Sequence, residues 1–387
     1  MSISPYRLAF LGGGLSSAVG YVHRTASQLD GRWVVAGGCF SRDASRSLAT
    51  AEAWGVPREA ICTDLDDLVK RVGRGEYDAV AVLTPTPEHV LALERLLTAG
   101  VPIVCEKALT SSDSESARVL DLQRNTGTFL ATTLNYTAYP MVRELRERIR
   151  RGDLGRILRV DIRMPQEGFL PPRDLGTGAI QDWRRRDYGL PTVSLDLGVH
   201  VVEMARFLCL SPIVEVTAAA ESFGDLKVTD EVQALVRFGD GSVGSFWYSK
   251  AALGNRNGLA VEVYGDEASA VWVQEIPDSF VLRRRDRTVQ VIDRGSSDLI
   301  EAGKPRYARF KAGHPTGFIE AFANLYADIA DALAASSGSQ DSRSEPNEFV
   351  ADAAAAHYGM TVLAAMARSS REHRWLAVDA ATPSIPC

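Results

Sequence analysis

The segment that most constrains this chain lies near its start. Arg7–Leu11 (RLAFL) is a short apolar run that passes without a break into Gly12-Gly13-Gly14-Leu15-Ser16-Ser17. Leu15, Val19, Val22, Ala26 and Leu29 follow at the spacing of a helical stripe. Strand, glycine turn and helix in this order let a backbone approach a pyrophosphate, whose charge the loop N–H groups and the helix N-terminus stabilise. Gly12, Gly13, Gly14, Leu15 and Ser16 are therefore candidate phosphate contacts. Ser17 stands where a third glycine is usual, and a plain tight turn is the alternative reading.

The alternation continues. Strands are expected at Trp33–Phe40, Ala79–Leu83, Pro102–Cys105 and Phe129–Thr133, and helices at Ala44–Trp54, Glu88–Thr98 and Ser112–Arg124, with Gly55 and Gly100 as stops. This predicts an α/β domain with a doubly wound parallel sheet over residues 1–134. A ligand in such a sheet sits beyond the carboxyl ends of the strands. Those ends carry Gly12–Gly14, Ser41-Arg42, Thr84-Pro85-Thr86 with His89 behind it, and Glu106-Lys107. At the second strand end, where an acidic residue would bind a ribose hydroxyl, the chain has Ser41-Arg42-Asp43. A hydroxyl and a guanidinium suit a 2′-phosphate and tilt the expectation from NAD toward NADP. Asp43 either caps the next helix or binds a ribose. Lys107, just past a buried-looking strand, is either a cation for a developing alkoxide or a solvated lysine opening a loop.

From Ile157 the pattern changes to strands with short turns: Ile157–Met164, Ile213–Ala219, Val232–Phe238, Ser242–Ser249, Ala260–Tyr264, Ala270–Val273, Phe280–Arg284 and Val289–Ile292. Gly239-Asp240-Gly241 marks a hairpin. A second α/β domain over residues 135–387, built on a large and mostly antiparallel sheet, is expected. Within it, Ser194–Leu208 reads as a helix with Ser194 as N-cap, and Asp196, His200 and Glu203 fall along one face. Asp196 and His200 form a general-base pair in outline; a capping Asp beside a core His is the plainer alternative. Phe318–Leu333 and Val350–Ala367 read as helices, with a Gly/Ser/Asp-rich linker at Ser336–Asn347.

The formal net charge of −6 leaves no electrostatic footprint for nucleic acid or an anionic membrane. No secretory signal or apolar span is read, and five scattered cysteines without a C-x-x-C spacing fit a reducing cytoplasm. No His/Cys/Asp spacing suggests a metal site.

With Gly12–Gly14, Cys105-Glu106-Lys107 and Asp196-x-x-x-His200 in this order, the chain resembles the glucose-fructose oxidoreductase, inositol dehydrogenase and rhizopine-catabolism oxidoreductase family. Thr84-Pro-Thr-Pro-Glu-His89, Asn135-Tyr136, Trp183-Arg184 and Gly313-His-Pro-Thr-Gly-Phe-Ile-Glu-Ala-Phe322 extend the resemblance over nearly the whole chain. It implies a Rossmann domain, an α/β domain with an antiparallel sheet, and hydride transfer between NAD or NADP and a hydroxyl-bearing carbon of a sugar or cyclitol. It further implies catalytic roles for Lys107, Asp196 and His200, and a homodimer or homotetramer formed through the C-terminal sheet. Asn135, Tyr136, Asp182, Trp183 and His314 are expected to line the substrate site. The family's proline after the lysine is Ala108 here, and Gly189-Leu190-Pro191-Thr192 replaces the usual glycine cluster before the histidine helix. A ligand-sensing regulator on the same fold, or a dehydrogenase of nucleotide-linked or aminoglycoside-type sugars, are the competing expectations.

Overall fold

The computed structural model describes residues 4–170, 180–338 and 347–378, in two compact units. The first unit opens with β1 (Tyr6–Gly12), α1 (Gly20–Gln28), β2 (Trp33–Cys39), α2 (Ala44–Trp54), α3 (Leu65–Gly73), β3 (Ala79–Leu83), α4 (His89–Thr98), β4 (Ile103–Glu106), α5 (Asp113–Thr126) and β5 (Leu130–Thr133). The second contributes α6 (Pro140–Arg150), β6 (Ile157–Pro165), α7 (Val199–Cys209) and the strands β7 (Ile213–Glu221), β8 (Glu231–Phe238), β9 (Val243–Ser249), β10 (Ala260–Gly265), β11 (Ala268–Val273), β12 (Ser279–Arg284) and β13 (Val289–Asp293). The chain then returns to the first unit with α8 (Phe318–Gly338) and β14 (Ala351–Asp352), and ends with α9 (Ala353–Glu372) and β15 (Leu376–Ala377).

In the first unit the strands stand in the order β14-β5-β4-β3-β1-β2. All neighbours are parallel except the two-residue β14, which pairs antiparallel with β5 at Ala351 and Thr132. Strands covered on both faces read as unbroken apolar runs, and every residue of β3 is buried. The helices carry local start and stop signals. Asp43 accepts from the N–H groups of Ser45 and Arg46 to begin α2, and Gly55, at φ 71°, ends it. Residues 318–357 group with this unit, whereas the sequence placed them in the second domain.

The second unit holds a nine-stranded sheet in the order β13-β12-β11-β10-β6-β9-β8-β7-β15. Its pairs are antiparallel except β6 and β9, which run parallel with Pro165 opposite Ser249. β8 alternates strictly between buried and exposed residues, so one face is core and the other open in the chain as described.

Four expectations are corrected. α1 begins at Gly20 rather than Leu15, which is 57% exposed. Ser194 does not cap the histidine helix: the helical path starts at Thr192 and passes through a π-turn, Ser194–Gly198, before α7. Ser336–Gly338 continue α8; the remainder of the expected linker, 339–346, lies outside the described residues. Val350–Asp352 turns into β14, so the last helix starts at Ala353. Among the described residues no helix is long and apolar enough to cross a membrane.

Candidate functional site

In the first unit the glycine loop follows from packing that leaves no room for side chains. Gly12 and Gly13 have φ of 80° and 73°. A Cβ on Gly13 would fall 2.5 Å from Leu83 Cδ1, and one on Gly14 would fall 2.9 Å from Phe40 O. Gly20 performs the close-packing role assigned to the third glycine: a Cβ there would lie 1.8 Å from Gly13 O. Ser17 instead turns its hydroxyl to the helix start, accepting from Val19 N and Gly20 N at 3.3 and 3.2 Å. Ser16 and Leu15 are exposed, and Leu15 N donates to Thr50 Oγ1 at 3.2 Å. At the end of β2, Ser41 Oγ accepts from Asp43 N, while Arg42 is exposed and ion-pairs with Glu88 at 3.4 Å. Asp43 is committed to capping; bonds from the Ser45 hydroxyl and from the Arg46 and Ser45 amides hold its carboxyl below the usual range.

Past β3, Thr84 Oγ1 is a buried oxygen with no hydrogen-bond partner among the described residues, and the Asn135 amide nitrogen is another such orphan. A loop that excludes every Cβ, beside an orphaned hydroxyl at the next strand end, fits a dinucleotide phosphate. His89 does not join this set. It is fully buried, and its Nδ1 and Nε2 lie 2.9 and 2.8 Å from the carbonyl oxygens of Ala108 and Thr84. Burial pushes its imidazole below the ordinary histidine range. His89 braces two strand ends rather than touching a ligand.

Glu106 is likewise internal. Its Oε1 accepts from His23 Nε2 at 3.1 Å and from Thr133 Oγ1 at 2.6 Å, and His23 Nδ1 meets the Tyr326 hydroxyl of α8 at 2.7 Å. Burial alone would raise this carboxyl, but the bond and charge of His23, the charge of Lys107 and the bond from Thr133 outweigh it and hold the pKa at about 2. A buried anion thus lies under Lys107, the one residue of the stretch 103–110 that is not itself buried. The Lys107–Ala108 peptide bond is cis.

In the second unit the π-turn and α7 present Asp196 and His200, both nearly buried. Ser194 Oγ and the Tyr248 hydroxyl are 3.0 Å apart, which ties the turn to β9. Gly198 is needed there, since a Cβ would meet Leu363 Cδ2 at 2.8 Å. Asp196 accepts from Arg184 Nε and Nη2 at 3.1 and 3.0 Å, and Lys250 Nζ stands 2.7 Å from Oδ2. The carboxylate therefore spans two cations. His200 meets the Tyr136 ring edge to face, centroids 4.7 Å apart. Glu203, on the same helical stripe, is taken up by Arg206 through two bonds of 2.7 Å.

Tyr136 is thus brought to His200, Asp196 lies four residues earlier on the same helical path against Arg184 and Lys250, and Trp183 stacks on Arg184 with 4.3 Å from guanidinium to ring. Asp182 and His314 are not brought to this cluster: both side chains are exposed, and Asp182 lies 4.0 Å from Arg185. Gly189 owes its identity to Ser112, whose Cβ would lie 2.4 Å from an added Cβ. Sequence reasoning missed Lys250, Gln166 and Asn257, and gave Arg184 no role. Among the described residues no group of three or more His, Cys, Asp or Glu side chains is placed to hold a metal ion.

A parallel nucleotide-type sheet with a glycine loop, joined in one chain to a large antiparallel sheet carrying a buried Asp and His, defines a class of nicotinamide-dependent oxidoreductases. Residues 6–133 match the oxidoreductase family with NAD-binding Rossmann fold, and residues 142–271 match the GFO/IDH/MocA C-terminal domain. The chain belongs to the Gfo/Idh/MocA oxidoreductase family. The oxidoreductase YfiI of Bacillus subtilis is 26% identical over 85% of this chain and 86% of its own length. Inositol 2-dehydrogenase of Rhizobium meliloti is 27% identical over 62% of this chain and 72% of its own. An inositol dehydrogenase homolog from Azotobacter vinelandii, solved with NADH and myo-inositol, superposes with a TM-score of 0.87 at 26% identity, over 97% of this chain and 98% of that one.

Proposed function

We propose that this protein transfers a hydride between a nicotinamide dinucleotide and a secondary alcohol carbon of a cyclitol or sugar. The observation that carries the reading is the buried Asp196, His200 and Tyr136 cluster in a chain of this family. Gly12–Gly14 and Thr84 would hold the dinucleotide, whose nicotinamide supplies the hydride acceptor or donor when bound. His200 takes the hydroxyl proton on oxidation and returns it on reduction. Both oxygens of Asp196 face N–H donors of cations, so it is not the proton acceptor; it anchors the helix turn that presents His200. Lys107 stabilises the alkoxide that develops as the proton leaves. Tyr136, Trp183 and Asn135 provide the polar and ring contacts for a hydroxylated substrate.

The exposed Arg42 and the Ser41 hydroxyl favour NADP over NAD, because Asp43, the acidic group at that strand end, is spent on its helix cap. The open face of the nine-stranded sheet favours self-association. It bears Leu235 and Val243 and a groove of about 750 Å³ lined by Thr217, Leu235 and Trp247.

The test is nicotinamide absorbance during incubation with NAD⁺ or NADP⁺ and a panel of cyclitols, hexoses, anhydrosugars and nucleotide-linked sugars. Turnover on a free polyol is expected. Turnover confined to nucleotide-linked sugars would move the substrate class, and cofactor binding without turnover across the panel would make the protein a regulator.

A further inference from the structure

His89 opens α4 with its ring fully buried, and both ring nitrogens stand against carbonyl oxygens. Nε2 is 2.8 Å from Thr84 O, just past β3, and Nδ1 is 2.9 Å from the carbonyl oxygen of Ala108, the residue after Lys107. A carbonyl oxygen only accepts, and a neutral imidazole carries one N–H. Whichever nitrogen holds that hydrogen, the other turns a lone pair toward an oxygen. The imidazolium, with two N–H groups, meets both carbonyls.

A third neighbour decides which contact the neutral ring keeps. The Cys105 sulfur lies 3.6 Å from Nδ1 and 3.2 Å from Glu106 O, and burial pushes its thiol well up, so it remains a donor. Turned to Nδ1, that thiol satisfies the lone pair there. The neutral ring therefore keeps its hydrogen on Nε2 for Thr84 and gives Nδ1 to Cys105. We propose that His89 is a positioning residue for Lys107: its protonated ring holds the Thr84 and Ala108 carbonyls together, and its neutral ring, with Nδ1 given to the Cys105 thiol, releases Ala108. The groups that face the ring from β4 are Cys105 and Glu106; Lys107 follows them, and Glu88, just before His89, is paired with Arg42 at 3.4 Å. Burial opposes the second proton and outweighs the two carbonyls and the Glu106 charge that favour it, so it is taken up below the ordinary histidine range. The clasp closes as pH falls through that point and opens as pH rises. The role of Lys107 rests on the polyol reading above, while the clasp does not.

Acidification of the wild-type protein, with histidine ring nitrogens and alanine carbonyls labelled for NMR, reads the clasp without substrate. The His89 nitrogens, assigned with His89→Gln, should pass from one proton to two at a pH below 6.5, the ordinary histidine value. The Ala108 carbonyl, assigned with Ala108→Gly, should move downfield in the same titration as it gains a hydrogen bond. A carbonyl that stays put while the ring titrates, or a ring that keeps one proton until the protein unfolds, would overturn the proposal. Kinetics read the link to Lys107. At a pH where the ring holds two protons, His89→Leu should lower kcat for polyol oxidation about 10–10²-fold, the effect of a misplaced catalytic group. The loss should shrink above that pH, where the wild-type clasp is open. In a Lys107→Met background the same change should cost less than about twofold, because both act on one ammonium. Losses that multiply in full would overturn the proposal. A titration as expected in a protein that oxidises no polyol would uphold the clasp and refute the polyol reading alone.

Discussion

At the scale of single residues, the site divides into groups that face a ligand and groups that hold those in place. Lys107 and His200 belong to the first kind in the proposed reaction, while Glu106, Asp196 and Lys250 belong to the second. The distinction turns on burial and occupancy. Glu106 is enclosed with His23 and Thr133 as partners, and Asp196 is shared between two cations, so neither is placed to move a proton. The proposed preference for NADP rests on one residue. Among the described residues Arg42 makes an exposed pair with Glu88, which contributes little and leaves the guanidinium available to a phosphate. Arg42→Ala should raise KM for NADP⁺ about tenfold, the cost of one charge-assisted contact, and should change KM for NAD⁺ by less than about twofold. Equal effects on the two cofactors in steady-state kinetics would remove Arg42 from the 2′ position.

At the scale of elements, β4, α1, β5 and α8 are fastened to one another by the His23, Glu106, Thr133 and Tyr326 cluster. Because Glu106 titrates at about 2 in the fold against 4.5 as its ordinary value, it contributes stability fully above about 4.5 and loses it as pH falls toward 2. Glu106→Gln should destabilise the neutral protein by about 3–5 kcal/mol, the cost of stranding one partner of a buried pair. The gap in melting temperature between wild type and variant should close as the pH is lowered from about 4.5 toward 2; a gap constant with pH would deny the ion pair. How legible these elements are in the sequence depends on whether their cause is local. The strands of the second sheet are legible because one face is buried and the other open, as β8 shows, and the Gly239-Asp240-Gly241 turn sets a boundary. The first sheet is legible through its caps and apolar runs. The π-turn at Ser194–Gly198 is not, since it depends on Tyr248 and Leu363. Gly20 and Ser17 exchange the roles expected for the third loop glycine because α1 starts later than its apolar stripe suggests. Lys250, Gln166 and Asn257 are not legible in the sequence, because the parallel pairing of β6 with β9 and the antiparallel pairing of β10 with β6 bring them together.

At the scale of the molecule, the family's pattern of two sheets leaves the outer face of the larger one as the proposed contact between copies. Leu235 is 48% exposed at the centre of β8, beside Trp247 on β9. Leu235→Lys with Trp247→Glu should give a monomer in sedimentation velocity, whereas a wild-type assembly state would place the interface elsewhere. The central claim is catalytic, with His200 as the general base. The measurement that tests it most directly is cofactor reduction by wild type and His200→Asn on the best polyol of the panel, with cofactor affinity measured in parallel by nicotinamide fluorescence. We expect wild-type turnover, a loss of about 10²–10⁴ in kcat for His200→Asn, the usual contribution of a general base, and unchanged cofactor affinity. Turnover by His200→Asn near that of wild type would contradict the account.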